Sequence, residues 1–209
     1  MKTLKKIVLL LSFTMVFLVG CNSEDKVYTQ GSLKVDISKQ IVYEQDGKMQ
    51  ANGTYNKSNK KEKISIVIKD GLIVSSNAKR GDNSIDLTFK NKILTSLVAG
   101  ESSKSKFFDD GMPKEVYNID AQSKASVKYT EDSKNPYYLL LEAKPSNSKI
   151  LFENNVMTIS KLDSKEVIQT LKETDSKAQM ILQQMNRTLR FIANSAQERM
   201  YQEVLREIL

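Results

Sequence analysis

Ile64-Ser65-Ile66-Val67-Ile68-Lys69-Asp70-Gly71-Leu72-Ile73 decides how this 209-residue chain folds. Ile64, Ile66 and Ile68 alternate with Ser65, Val67 and Lys69, the period of two that marks a strand with one buried face. Asp70-Gly71 then stands between two apolar runs. A two-residue hairpin turn needs positive φ at both central positions, which Asp and Gly tolerate, so the segment reads as strand, tight turn and returning strand. The next unit matches it without a gap: Ile85-Asp86-Leu87-Thr88-Phe89-Lys90-Asn91 aligns with Ile64 to Asp70, and Ile93-Leu94 aligns with Leu72-Ile73. Val67 against Thr88 is the exception to the matching pattern of apolar, polar and turn positions.

Working outward, turn signals recur at Asp46-Gly47, Asp70-Gly71, Asn91-Lys92, Asp110-Gly111, Asp132 to Asn135 and Asn154-Asn155, in steps of 24, 21, 19, 22 and 22 residues. Two readings account for a period near 20: duplication of a hairpin unit, or a meander whose strands and turns set that interval by themselves. Leu33, Val35 and Ile37 alternate with Lys34, Asp36 and Ser38 and start the domain. The expected fold is α+β, an antiparallel meander of about ten to twelve strands over residues 33–162 followed by a C-terminal helical segment over 163–209. Tyr137-Tyr138-Leu139-Leu140-Leu141 reads as a strand covered on both faces, in the middle of the sheet.

Asp163-Ser164-Lys165-Glu166 offers a helix N-cap with a glutamate three residues on. Leu182, Met185, Leu189, Ile192 and Ala196, then Met200, Val204 and Ile208, draw an apolar stripe at steps of three and four. An unbroken helix from Asp163 would run about 70 Å. The expected resolution is a break near Thr174-Asp175-Ser176, with Asp175 or Ser176 capping a second segment; the other is a helix that projects and pairs. Packing on the chain's own sheet is the leading reading of the stripe, with self-association as a coiled coil and a membrane-surface helix as alternatives. Seven basic and seven acidic residues from Asp163 onward speak against the membrane surface.

At the other end, Lys2, Lys5 and Lys6 precede an apolar run from Ile7 to Val19, then Gly20 and Cys21, the single cysteine. The run is short for a membrane span, which needs roughly 20 residues, and reads as a signal peptide over 1–20. Leu18-Val19-Gly20-Cys21 resembles the lipobox of bacterial lipoproteins. The resemblance implies cleavage between Gly20 and Cys21, a diacylglycerol on the Cys21 thiol, a tether over 21–32, and a cell-envelope location. Asn22 after the cysteine favours the outer membrane where the host has two. Loss of the three lysines takes the formal charge from +7 to +4 and removes much of the basic character, so nucleic acid is not an expected partner.

Val42 to Asn56 resembles a variant MORN repeat of bacterial envelope and antitoxin-like proteins, through Tyr43, Gly47 and Tyr55, and Phe107 to Asn118 resembles a second copy, through Phe107, Phe108, Gly111 and Tyr117. The intermediate units depart from the pattern: Ile64 to Ser75 lacks the aromatics, and Lys92 replaces the glycine. Catalytic chemistry is sparsely equipped. The chain has no histidine, and lipidation would consume its thiol, which removes Ser-His and Cys-His nucleophiles and histidine metal sites. Asp109-Asp110 is the most conspicuous carboxylate pair, and a turn explains it. No catalytic, metal-binding or cofactor-binding residue is expected. Lys57 to Lys63 and Lys104 to Lys106 read as solvated connections between strands; the alternative is a surface facing the membrane, where each lysine would add about 1 kcal/mol toward anionic headgroups.

These observations imply a non-enzymatic envelope lipoprotein, anchored to the membrane by its N-terminal lipid, that binds or scaffolds an unidentified envelope protein. A carrier of lipid or another apolar ligand, with the helix plugging a half-barrel, is a second reading, similar in outline to lipoprotein-sorting proteins. An immunity-type protein, implied by the antitoxin-like resemblance, is a third.

Overall fold

A computed structural model describes residues 26–131 and 135–209, an α+β architecture of antiparallel hairpins followed by one helix. After β1 (Lys26–Tyr28), β2 (Leu33–Asp36) and β3 (Ile41–Glu44) form a separate two-stranded hairpin. The chain then runs up and down through β4 (Gly53–Ser58), β5 (Glu62–Lys69), β6 (Leu72–Arg80), β7 (Asn83–Lys90), β8 (Ile93–Ala99), β9 (Ser103–Phe107) and β10 (Pro113–Ile119). It continues through β11 (Ser123–Lys128), β12 (Tyr138–Ala143), β13 (Ser148–Glu153), β14 (Val156–Lys161) and β15 (Val167–Lys172). Each strand from β4 onward pairs antiparallel with the next, and β1 adds in parallel to the outer edge of β4. The result is an open sheet of thirteen strands, rather than the ten to twelve expected.

The period near 20 is the step of two strands. The turns at Asp70-Gly71, Asn91-Lys92 and Asn154-Asn155 lie along one margin of the sheet, all with positive φ at both positions. The turns at the opposite margin, such as Gly81-Asp82 and the one after Asp120, fall between them. The two aligned units share more than the turn. Registers slip between Val67 and Ile68 opposite β6, and between Thr88 and Phe89 opposite β8, leaving Val74 and Thr95 as the extra residue at the same place in each unit.

The helix α1 (Ser176–Ile208) has 33 residues, about 50 Å at 1.5 Å per residue. Twelve strand spacings of about 4.8 Å give the sheet a breadth near 58 Å. One helix therefore suffices to cross the strands from end to end. Its first half packs Ala178, Leu182 and Leu189 on Val127, Leu139, Phe152, Met157 and Leu171. Its last turns pack Tyr201, Val204, Leu205 and Ile208 on Tyr55, Ile66, Ile73, Leu87, Phe89 and Leu94, with Val42 of the small hairpin closing the end. Where the bulges divert the backbone, α1 supplies partners: the Tyr201 hydroxyl accepts from the Ile73 amide (3.0 Å), and Gln197 accepts from the Leu94 amide (2.7 Å) and donates to its carbonyl (2.8 Å).

Several expectations are corrected. Asp163 to Glu166 does not begin the 163–209 helical segment; it is the turn between β14 and β15, with Lys165 at φ 58°. Leu171 enters the core from β15, so this strand gains a pairing on β14 and a buried side chain that a helix there would forgo. The capping position is Asp175, at the expected break, and α1 is continuous after it. Asp175 uses its carboxylate to accept from the Lys172 amide (2.8 Å), closing the preceding turn. Along α1, Ile192 is 56% exposed while Ala193 is 2% exposed. The buried line steps by four through Leu189, Ala193, Gln197, Tyr201 and Leu205, because the helix follows a sheet whose strands rotate beneath it. At the N-terminal side, β1 falls inside the proposed 21–32 tether, so the folded part begins by Lys26. Tyr138 to Ala143 is β12, tenth of the thirteen in spatial order and not central; Leu139 lies under the helix, and Leu140, on the opposite face, is buried as well.

Candidate functional site

Cys21 and Gly20, the lipidation and cleavage residues implied by the lipobox, lie outside the described residues, as does the 1–20 signal segment. Their nearest described neighbour is Lys26, and the docking of β1 is well defined. The Lys26 ammonium pairs with Glu44 (2.7 Å), and the Tyr28 hydroxyl donates to the Asn52 carbonyl (3.0 Å). Lys26 holds the Glu44 carboxyl below its ordinary range. Gly53 permits the pairing: a Cβ at its φ of 144° would stand 2.1 Å from the Lys26 carbonyl oxygen.

The sheet offers one face to the helix and the other to solvent. Ser65, Asn77, Asp86, Val98, Lys104, Tyr117 and Ser126 are successive cross-strand partners on the open face, a row that runs from β5 to β11. Lys104 and Lys106 are therefore strand residues of β9 and not a connection, and Lys106 faces Glu115 at 3.4 Å. Lys57 lies in β4 and pairs with Glu207 (3.2 Å), whereas Lys60 and Lys61 belong to the β4–β5 turn. On α1, the outward side carries Phe191 (72% exposed) beside Ile192, with Met180 (61% exposed) three turns earlier. No Asp or Glu occurs from Ser176 to Gln197, where Lys177, Arg187 and Arg190 are the charged residues.

No family model, no curated protein and no solved structure matches this chain.

A groove of about 260 Å³ opens between the end of α1 and strands β5 to β7. Ile64, Ala78, Ile85, Leu87, Met200 and Val204 form its apolar wall. Arg80 and Glu207 also line it and pair at 2.9 Å, and Arg80 pairs in addition with Glu62 (2.9 Å). Hydrogen bonding and charge from Glu62 raise the Arg80 pKa. The residues singled out for a MORN-like pattern separate in space. Tyr55 is buried beneath α1, with its hydroxyl 3.3 Å from the Glu207 carbonyl, whereas Tyr43 belongs to the small hairpin. Phe107 and Tyr117 do share a hairpin, β9–β10, with Gly111 at φ 83° in its turn.

Asp109 and Asp110 serve the same turn: Asp109 pairs with Lys90, and Asp110 accepts from the Met112 amide (2.9 Å). No group of three or more potential metal ligands occurs among the described residues. A polar pair with no sequence signal joins α1 to the sheet: Tyr129, just after β11, donates to the side chain of Asn186 on α1 (2.7 Å). Burial pushes the Tyr129 phenol up to about 12. A tyrosine at a strand end gives no signal of such a partner, since the helix residue that meets it is 57 positions away.

Proposed function

We propose that this protein is a non-enzymatic bacterial envelope lipoprotein, held to its membrane by lipid on Cys21, that uses its helix and sheet to bind another envelope protein. The observation that carries the reading is the ridge of Phe191 and Ile192 on the solvent side of a helix already committed to the sheet. Large exposed apolar side chains flanked by Arg187 and Arg190 have the composition of a protein-binding surface, where aromatics and arginine are enriched. The lipobox supports the anchor and the envelope location, with the outer membrane favoured by Asn22. The lack of histidine supports a binding role over catalysis. The likeness of the Phe107 to Asn118 hairpin to a variant MORN repeat is in keeping with scaffolding.

A carrier role is favoured by one feature, the apolar groove under the end of α1. Its volume of about 260 Å³ falls below the roughly 300–1,000 Å³ usual for small-molecule sites, and scaffolding remains the better supported reading. Crosslinking in intact envelopes tests it. A discrete partner should be recovered with the native chain and lost with Phe191→Glu, while recovery of background alone from both would sink the proposal.

A further inference from the structure

Lys63 of β5 and Lys79 of β6 are direct cross-strand partners on the open face, one row from the margin that carries the β4–β5 turn. Like charges placed opposite each other destabilise a sheet unless something neutralises them. Here no carboxylate does so among the described residues: Glu62 lies on the other face, where it pairs with Arg80, and Lys60 and Lys61 in the turn add two further cations with no ion pair. Asn59 fixes that turn by accepting from the Lys61 and Glu62 amides (2.8 and 3.0 Å), so the lysines project from a defined corner. Ser58 and Ser84 flank the lysine pair in the same cross-strand row and place hydroxyls beside it. The four lysines, with Asn59, Glu62 and Gly81, line a shallow depression of about 430 Å³, and the one carboxylate among them, Glu62, is paired with Arg80 (2.9 Å).

The chain's own attachment lies on the same β1–β4 edge of the sheet, at the opposite margin of its strands. Resting on the lipid anchor at Cys21, the geometry is restrictive: four residues separate Cys21 from Lys26, a reach of at most about 18 Å. Lys26 pairs with Gly53 at the start of β4, and the six residues of β4 lead over about 20 Å to the lysine corner. The far end of the sheet, at β15, is nearly 60 Å away. We infer that the corner formed by Lys60, Lys61, Lys63 and Lys79 binds the phosphate headgroups of the anionic bilayer that holds the anchor, so that the sheet stands on its β1–β4 edge and directs its remaining surfaces away from the membrane.

Lysine acylation by a water-soluble reagent, read by mass spectrometry on the lipidated full chain in vesicles, tests this. On vesicles of phosphatidylcholine with 30% phosphatidylglycerol, each of the four lysines should react about fivefold more slowly than on pure phosphatidylcholine, the factor expected for a lysine at an anionic surface. Lys124 and Lys149, toward the other end of the sheet, should not change, and 0.5 M NaCl should abolish the difference. The paired variant Lys63→Glu, Lys79→Glu should remove protection of Lys60 and Lys61. Equal rates on the two vesicle types would overturn the inference, as would equal protection by free glycerol phosphate on neutral vesicles, which would assign the corner to a soluble anion. The mass of the N-terminal peptide reads Cys21 acylation separately, so a failed anchor and a failed lysine corner give different results.

Discussion

Gly53 and Tyr129 carry consequences at the scale of single residues. A side chain at Gly53 would collide with the Lys26 backbone, and its φ of 144° is closed to other residues, so Gly53→Ala must release β1 or distort β4. The expected loss exceeds about 1 kcal/mol, or a fall of roughly 2–4 °C in the thermal midpoint. For Tyr129, burial raises the phenol from its ordinary value of 10.0 to about 12 in the folded protein. The preference of the fold for the neutral phenol is therefore fully present below pH 10 and lost as pH rises through 12, a contribution on the order of 2 kcal/mol. Thermal midpoints measured from pH 9 to 12 should fall over that window, and Tyr129→Phe should make the fall shallower. Tyr201, also raised by burial, should keep it from vanishing. Turn residues such as Asp70-Gly71 and Asn154-Asn155 were legible in the sequence because their backbone requirement is local. The role of Gly53 was not, since it depends on a strand that arrives from 27 positions upstream.

Among the elements, α1 separates what periodicity can tell from what it cannot. The stripe from Leu182 to Ile208 was correctly legible as a face that packs on the sheet, and Leu182, Val204 and Ile208 are buried. Ile192 was misplaced because a step of three was followed where the contact line takes four. Leu182→Ala should cost about 2–5 kcal/mol in denaturant unfolding, whereas Ile192→Ala should stay within about 0.5 kcal/mol. Gln197 stands where the apolar stripe is interrupted, and it satisfies the backbone at the second bulge. Gln197→Leu should leave the Leu94 amide without its side-chain partner and cost about 1–3 kcal/mol by the same measurement. β15 escaped notice for a different reason: Val167, Ile168 and Leu171 suit a helix face as well as a strand, and the choice falls to the pairing edge that β14 presents. The capping motif at Asp163 was a local signal overruled by that pairing.

For the whole molecule, one helix joins two buried clusters that the sheet alone leaves apart, which ties the first and last strands into one structure. The hairpin period was legible because each turn announces itself. The parallel docking of β1 was not, because partner choice between strands is not written in any one of them. The arrangement leaves a broad polar face, a ridge at Phe191 and Ile192, and a lysine corner on the sheet edge where the chain enters the fold, one strand length from the entry point. The use we propose for them, as binding surfaces in an envelope, rests on attachment through Cys21. The decisive measurement is the mass of the N-terminal peptide of the protein extracted from the membrane fraction of its host. The account predicts a chain that begins at Cys21 and carries a diacylglycerol on its sulfur; a chain that begins at Met1, or one with an unmodified Cys21 thiol, would contradict it.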